Sequence, residues 1–432
     1  MRIAIITAGA AGMYCGSCLS DNALARALHQ QGHDVQLIPL YTPIRTDVPN
    51  AARQPVFLGG INLYLRQKYT LARAVPRWLT GWLDHPWLIN QLANRAVQTE
   101  ASELGDLTVA VLQAERGVLS SEFDRLTQTL VDFDPDVVHF SNIMIAGAAM
   151  LMKQATRAAM VVTLQGDDIF LDELPAESRA QVVDEIRNFE HAIDAYVAHS
   201  QFYASKMSQF LGLPLPKIHV RRLATELDDL CSAARVSVDR PPRLGYLARL
   251  APEKGLHLLC EAFAQLRRQS EWEALELHIA GYQGKQHEGY VASCVDPLRE
   301  QYPGAVRLWG DVDRQQKIDF LREVDVISVP SPYEDPKGLY VLEALAAGVP
   351  VVQPDHGAFP ELMEVTGGGR LFKANAVDAL ASELADLLGS PEQIRQLADA
   401  GKAAVCAHHT SQVEAREMVE FYQQLLHKES PT

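Results

Sequence analysis

Between Ser328 and Gln353 the chain reads SVPSPYEDPKGLYVLEALAAGVPVVQ: a strand, a charged loop with one glycine, an amphipathic helix and a second strand in immediate succession. A run of this kind closes as a βαβ unit, and it commits the surrounding chain to an open α/β sheet with parallel strands. Asp335 and Glu343 enclose seven residues, and Gly338 with Leu339 falls where the loop must pass close to a ligand before the helix begins. Glycine at that place lets backbone N–H groups approach a phosphate, and the helix N-terminus adds partial positive charge. Glu343, on the helix, suits the two hydroxyls of a ribose.

Upstream, LGYLARLAPEKGLHLLCEAFAQL (Leu244–Leu266) reads as strand, basic loop and helix. Arg249 and Lys254 are five apart, so a forked guanidinium and a flexible ammonium can reach one diphosphate. Between the two segments, LELHIAGYQG (Leu275–Gly284) is a strand ending in a glycine loop, and VRLWGDVDRQQKIDFLREVDVISVPS (Val306–Ser331) is strand, loop, helix and strand. Together these residues resemble the family 4 glycosyltransferases. Asp335 stands in place of the first glutamate of that family's E-x7-E region, and Ala248 stands where its G-R-L-x-x-E-K-G signature has a glycine. The resemblance implies that Gly281 passes near the donor and that the loop Gly310–Val312 flanks the nucleotide base. It is strongest from Leu244 to Glu361.

A chain of 432 residues is long for one core, so two domains are expected. A net charge of −15 argues against nucleic acid as a partner, although a local basic cluster can still hold a diphosphate. MRIAIITAGAAG reads as a first buried parallel strand rather than a signal peptide, and no apolar run is long enough to span a bilayer. Six irregularly spaced cysteines suggest reduced thiols and a cytoplasmic location.

The first half repeats the α/β rhythm, with strands legible at Arg2–Thr7, Asp136–Phe140, Ala159–Leu164 and Ala195–His199 and a helix over Ser20–Gln31. Expected boundaries are a first domain over 1–226 with an insertion at about 43–115, a linker over 227–242, a donor domain over 243–405, and a C-terminal segment, 406–432. The resemblance implies the GT-B architecture: two Rossmann-like domains whose parallel sheets face each other across a cleft, with the C-terminal helix crossing back onto the first domain. The insertion holds Trp78, Trp82 and Trp87 with Arg66, Lys68, Arg73 and Arg77. It is either a helical subdomain burying its tryptophans or an acceptor-selecting element with peripheral membrane contact.

Gly9, Gly12 and Gly16 lie between the first strand and first helix, where a glycine-rich loop can lean toward donor and acceptor. This loop and the ALHQQGHDVQLIPLYTP that follows are also similar to glycogen and starch synthases. Cys15 and Cys18 form a C-x-x-C at the helix start, read either as packing or as a redox switch. No second pair of ligands stands beside it to make a metal site. In VVTLQGDDIF, Gln165 occupies the place where the family commonly carries a donor-touching histidine, and Asp167 and Asp168 are acceptor-hydroxyl ligands or helix caps. His139, in VVHFSN, is either a satisfied structural histidine or a substrate contact.

The expected reaction is transfer of a sugar from a UDP-, GDP- or ADP-linked donor, serving as co-substrate, to an acceptor hydroxyl, with no further cofactor. The family implies retention of configuration. Arg249 and Lys254 would stabilise the departing diphosphate, Glu343 the ribose, and Asp335 or the adjacent Glu334, with the amides of Lys337–Leu339, the sugar hydroxyls. His139, Gln165 and Asp167 are the acceptor candidates. The alternatives left open are a nucleotide-sugar epimerase and a non-catalytic nucleotide-sugar-binding or redox-sensing protein.

Overall fold

A computed structural model of the protein describes residues 1–9, 16–52, 101–117, 119–233 and 240–428. It divides into two compact units, Met1–Arg222 with Ser411–Thr432, and Leu223–Thr410. Gly12, Cys15 and the insertion's tryptophans and named cations lie outside the described residues.

The first unit is built on six strands, β1 (Arg2–Thr7), β2 (Asp34–Pro39), β3 (Val137–Phe140), β4 (Ala159–Thr163), β5 (Ala195–Ala198) and β6 (Ile218–Val220), in the order β2-β1-β3-β4-β5-β6. Every neighbouring pair is parallel. The strands are apolar on both sides, as a sheet covered by helices on both faces requires. Alternation sorts them: Ala4, Ile6, Val138, Phe140, Met160 and Val162 enter one core, while Ile3, Ile5, Val137, Val161 and Val197 enter another. That second core is closed by the first helix, Gly16–Gln30, and by Ala415, Met418, Phe421 and Tyr422 of the last helix, Ser411–Lys428.

In the second unit the strands are β7 (Arg243–Leu247), β8 (Glu276–Ala280), β9 (Val306–Gly310), β10 (Val326–Ile327), β11 (Val351–Pro354) and β12 (Gly369–Phe372), ordered β12-β11-β10-β7-β8-β9 and again parallel throughout. The strand order turns back on itself between β7 and β10. In open parallel sheets ligands bind beyond the carboxyl ends of the strands at such a reversal. The loops that follow β7 and β10 are those that carry Arg249, Lys254 and Asp335.

Residues 227–242, expected to be a linker, do not behave as one over their described part. Asp228–Ser232 is a helix whose Leu230 joins the second unit's core. Beside it run the last residues of that unit: Thr225 N–H donates to His409 O at 3.3 Å and His409 Nδ1 donates to Leu223 O at 2.8 Å. Cys231 and Cys406 are joined in a disulfide, with Cα atoms 5.9 Å apart. The expectation of reduced thiols is therefore wrong for this pair, and the cytoplasmic expectation loses the support it drew from it. Cysteines 175 residues apart gave no spacing signal, because the bridge depends on tertiary contact between two helices.

The bridge closes a loop spanning most of the second unit, so oxidised protein should exceed reduced protein in stability by about 2–5 kcal/mol. Thermal unfolding with and without a thiol reductant checks this. Wild type should melt lower when reduced and Cys231→Ser should ignore the reductant; equal melting of both wild-type forms would contradict the linkage.

Candidate nucleotide-sugar site

The second unit gathers its candidate residues through the loops at the carboxyl ends of its strands. Gly281, just after β8, has φ +146°, and a Cβ there would stand 1.8 Å from the carbonyl oxygen of Ala248. Only glycine allows the loop after β7 to come so close. Gly255 plays the same part beside the loop after β10, where a Cβ would lie 2.0 Å from Pro330 O. The β7 loop is braced from below by the buried Tyr246, whose hydroxyl donates to Arg249 O at 3.1 Å and to Lys254 O at 3.3 Å. Ser331 Oγ ties the β10 loop to it through Glu253 O at 2.7 Å.

Lys254 and Asp335 meet in this frame. Lys254 Nζ donates to Asp335 Oδ2 at 2.5 Å, and Asp335 Oδ1 accepts from the amides of Lys337 at 3.1 Å and Gly338 at 3.2 Å. Burial alone pushes the Asp335 carboxyl up. The charge and hydrogen bond of Lys254, with the two amides, outweigh burial and hold it below its ordinary value. The amides of Lys337 and Gly338, expected to face the donor sugar, are instead engaged by Asp335. Gly338, with φ +70°, opens the helix Leu339–Ala346, so the Leu339 amide remains among the N–H groups with no intrahelical acceptor. Glu334 is exposed next to Asp335. Arg249, with nearly half its side chain exposed, holds Glu253 Oε1 at 3.0 Å.

Glu343, on the same helix, is 9% exposed. Its oxygen Oε1 receives Lys317 Nζ at 2.7 Å, with Arg314 Nη1 at 3.8 Å. Both cations stand on the helix Arg314–Glu323, which opens with a capping box between Asp313 and Gln316. Neither was singled out from sequence. Their only local signal is a pair of cations one turn apart after the GDVD loop, and the carboxylate they face lies 26 residues from Lys317.

In the first unit the acceptor candidates separate. His139, in the middle of β3, is 4% exposed, and both its ring nitrogens are engaged: Nδ1 with the Tyr422 hydroxyl at 2.6 Å and Nε2 with Thr163 Oγ1 at 2.7 Å. Desolvation pushes it down to about 4, so the ring is neutral near pH 7. It clasps the C-terminal helix to the sheet, and this corrects its reading as a substrate contact. Gln165 and Asp167 do come together: Gln165 N–H donates to Asp167 Oδ2 at 2.9 Å, and Gln165 Nε2 donates to Ser141 O. Desolvation, with the charge of Asp168 as a lesser contributor, pushes Asp167 up to about 6 against the pull of its amide bonds. Asp168 is not a cap either. Gly166, at φ 96°, is the N-cap of the helix Asp167–Glu173, and Asp168 takes Tyr203 Oη and Lys206 Nζ, each at 2.8 Å. Gly16 begins the first helix, and Cys18 is buried with Sγ 3.9 Å from Thr7 Oγ1. Among the described residues no group of three or more His, Cys, Asp or Glu side chains is placed to hold a metal ion.

Two family models match the chain in tandem, one described as glycosyl transferase 4-like domain over residues 22–224 and one as glycosyl transferases group 1 over 232–404. The chain is 28% identical over 220 residues to the amylovoran biosynthesis glycosyltransferase AmsK of Erwinia amylovora, covering 50% of this chain and 53% of that protein. It is 26% identical over 296 residues to a glycogen synthase of Mycobacterium tuberculosis, covering 67% and 68%. The aligned region thus spans about half to two thirds of these two relatives. Among solved structures, sucrose-phosphate synthase of Thermosynechococcus elongatus superposes with a TM-score of 0.69 at 18% identity over 99% of this chain and all of that one. HepE of Anabaena, solved in complex with UDP, gives 0.67 at 16% over 98% and 100%. These likenesses identify the fold as GT-B.

The opposed positions of His139 and Asp167 give a pH test. As a base held below its ordinary 6.5, His139 contributes stability that is complete above about pH 6.5 and lost as pH falls toward 4. As an acid held above its ordinary 3.8, Asp167 contributes stability that is complete below that value and lost as pH rises through about 6. Asp167→Asn removes the second effect alone. Urea unfolding should find the variant more stable than wild type at pH 7, by up to about 3 kcal/mol, with the gain vanishing by pH 4. An equal change at both pH values would mean that the Asp167 carboxyl is not held up by its surroundings.

Proposed function

The chain belongs to the glycosyl transferases group 1 family, with a glycosyl transferase 4-like first domain, and from that premise we propose that it moves a sugar from a nucleoside-diphosphate donor to an acceptor hydroxyl with retention of configuration. The observation that carries the reading is the meeting of Lys254, Asp335, Gly338 and Glu343 on the β7 and β10 loops and the helix that follows, at the strand-order reversal. A cation pair and a helix start at one end, and a carboxylate on the helix, match the diphosphate and the ribose of one nucleotide. The relatives named above are transferases and synthases, which favours transfer over epimerisation or mere binding.

Arg249 and Lys254 hold the diphosphate and stabilise the charge that develops as it leaves. Fixed cations do this without a metal ion, and the Leu339 amide adds the field of the helix N-terminus. Asp335 serves Lys254 first: it neutralises and aims the ammonium while the donor is away, and it straightens the turn into the helix through its two amides. The donor sugar's hydroxyls then fall to Glu334 and to the lone pairs Asp335 keeps. Gln165 and Asp167 are the acceptor candidates that remain. HepE was solved with UDP, which makes UDP the first nucleotide to try.

Thermal unfolding against UDP, GDP, ADP and their sugars tests the donor site, since a ligand at a hundred times its dissociation constant stabilises the folded protein by about 2.7 kcal/mol. One nucleotide should raise the melting temperature selectively. No shift with any of them would leave the fold without the function.

Arg249→Ala tests the phosphate role with little risk to folding, because the side chain is half exposed. Its kcat should fall by about a hundredfold or more. Transfer retained within about tenfold would remove Arg249 from the leaving-group contacts.

A further inference from the structure

Glu343 is a buried carboxylate held entirely from one side. Both of its contacts with described residues run through Oε1, to Lys317 Nζ at 2.7 Å and to Arg314 Nη1 at 3.8 Å. Lys317 is itself 8% exposed, a burial that lysine rarely reaches unless paired. Arg314 is fixed in turn: its guanidinium lies bidentate on Asp229, Nη2 to Oδ1 at 2.5 Å and Nε to Oδ2 at 2.8 Å, and Nη2 also donates to Glu226 O at 2.7 Å. Asp229 sits on the short helix that the Cys231–Cys406 disulfide anchors. The carboxylate is therefore set in place by a relay that runs through the second unit from its disulfide to the helix carrying Glu343.

We propose that Lys317, with Arg314 behind it, is a positioning residue of the nucleotide site. By holding Glu343 through Oε1 it fixes the side-chain rotamer and leaves Oε2 to accept from the vicinal hydroxyls of the donor's ribose. The inference rests on the reading of Glu343 as the ribose carboxylate. A carboxylate oxygen that accepts from two vicinal hydroxyls must be stationary, because each of those hydrogen bonds weakens steeply when its angle falls off. A lysine bonded to one oxygen supplies that rigidity without touching the nucleotide.

The test is the preference of the full-length protein for a ribose over a sugar lacking its hydroxyls, measured by calorimetry. Whichever of UDP, GDP or ADP binds tightest is compared with its 2′,3′-dideoxy counterpart on wild type, Glu343→Gln, Lys317→Met and Lys317→Arg. Wild type should prefer the ribose form by about tenfold or more, a contact with a charged acceptor being worth at least that. Glu343→Gln should reduce the preference to about threefold or less, and Lys317→Met should reduce it nearly as far. A lysine that merely stabilised the fold would lower the melting temperature and leave the ratio untouched. If Glu343→Gln abolished the preference while Lys317→Met kept it, the positioning role would be overturned and the ribose reading would stand. If Glu343→Gln also kept it, or no nucleotide bound, the ribose reading would fall and the inference with it. Should Lys317→Met not fold, Lys317→Arg, which keeps the charge but changes the donor geometry, must shrink the preference measurably; a full preference there would overturn the role.

Discussion

The buried ion pair between Lys254 and Asp335 is the contact that organises the second unit's ligand end. Asp335 is 4% exposed, so an unpaired carboxylate there would face a desolvation penalty of several kcal/mol. Lys254 offsets it from the β7 loop, and the Lys337 and Gly338 amides offset it from the loop's own backbone. One carboxylate thereby fixes the height of the ammonium, the path of the β10 loop and the start of the following helix. The glycines at 255 and 281 are what allow those loops to approach closely enough for the pair to form.

The first unit has a different keystone. His139 bridges Tyr422 of the last helix and Thr163 of β4, so the final segment of the chain is bonded into the middle of a sheet formed from its first half. A neutral imidazole can do this because it donates with one nitrogen and accepts with the other, which suits a site between two hydroxyls. The same burial that makes the clasp firm removes the ring from acid–base chemistry near neutral pH. A lone histidine in a buried strand invites reading as a substrate contact, yet here its surroundings have already taken both of its nitrogens.

What the sequence made legible was local. The strand–loop–helix–strand run of Ser328–Gln353, the loop with Arg249 and Lys254, and the parallel rhythm of both halves all rest on period and punctuation within a few tens of residues. The partnerships that decide roles are long-range. Lys254 reaches Asp335 across 81 positions, His139 reaches Tyr422 across 283, and Cys231 reaches Cys406 across 175. Apart from its place one turn after Arg314, nothing in composition or spacing distinguishes Lys317 from another lysine on an amphipathic helix, and its pairing with Glu343 is what the structure adds. The short helix Asp228–Ser232 was hidden for a related reason: it is too brief to show a period, and the second unit's core holds it in place.

The cations around the candidate site follow a common rule. Arg249, Lys254, Arg314 and Lys317 each face a carboxylate, so the site is not a bare basic pocket on an otherwise acidic chain. A diphosphate arriving there must compete with carboxylates already in contact. Lys254 and Arg249 have hydrogen-bond donors beyond those given to Asp335 and Glu253, so they can take on phosphate oxygens without abandoning their partners. With Glu343 read as the ribose carboxylate, free inorganic phosphate would gain little from such a site, because it could not also engage the helix. On the function proposed above, a nucleotide would engage both ends at once, and the charge growing on its diphosphate during transfer would strengthen the cation contacts as the sugar–phosphate bond breaks. On that proposal, pairing these four cations in advance trades affinity for simple anions against preorganisation for a leaving group.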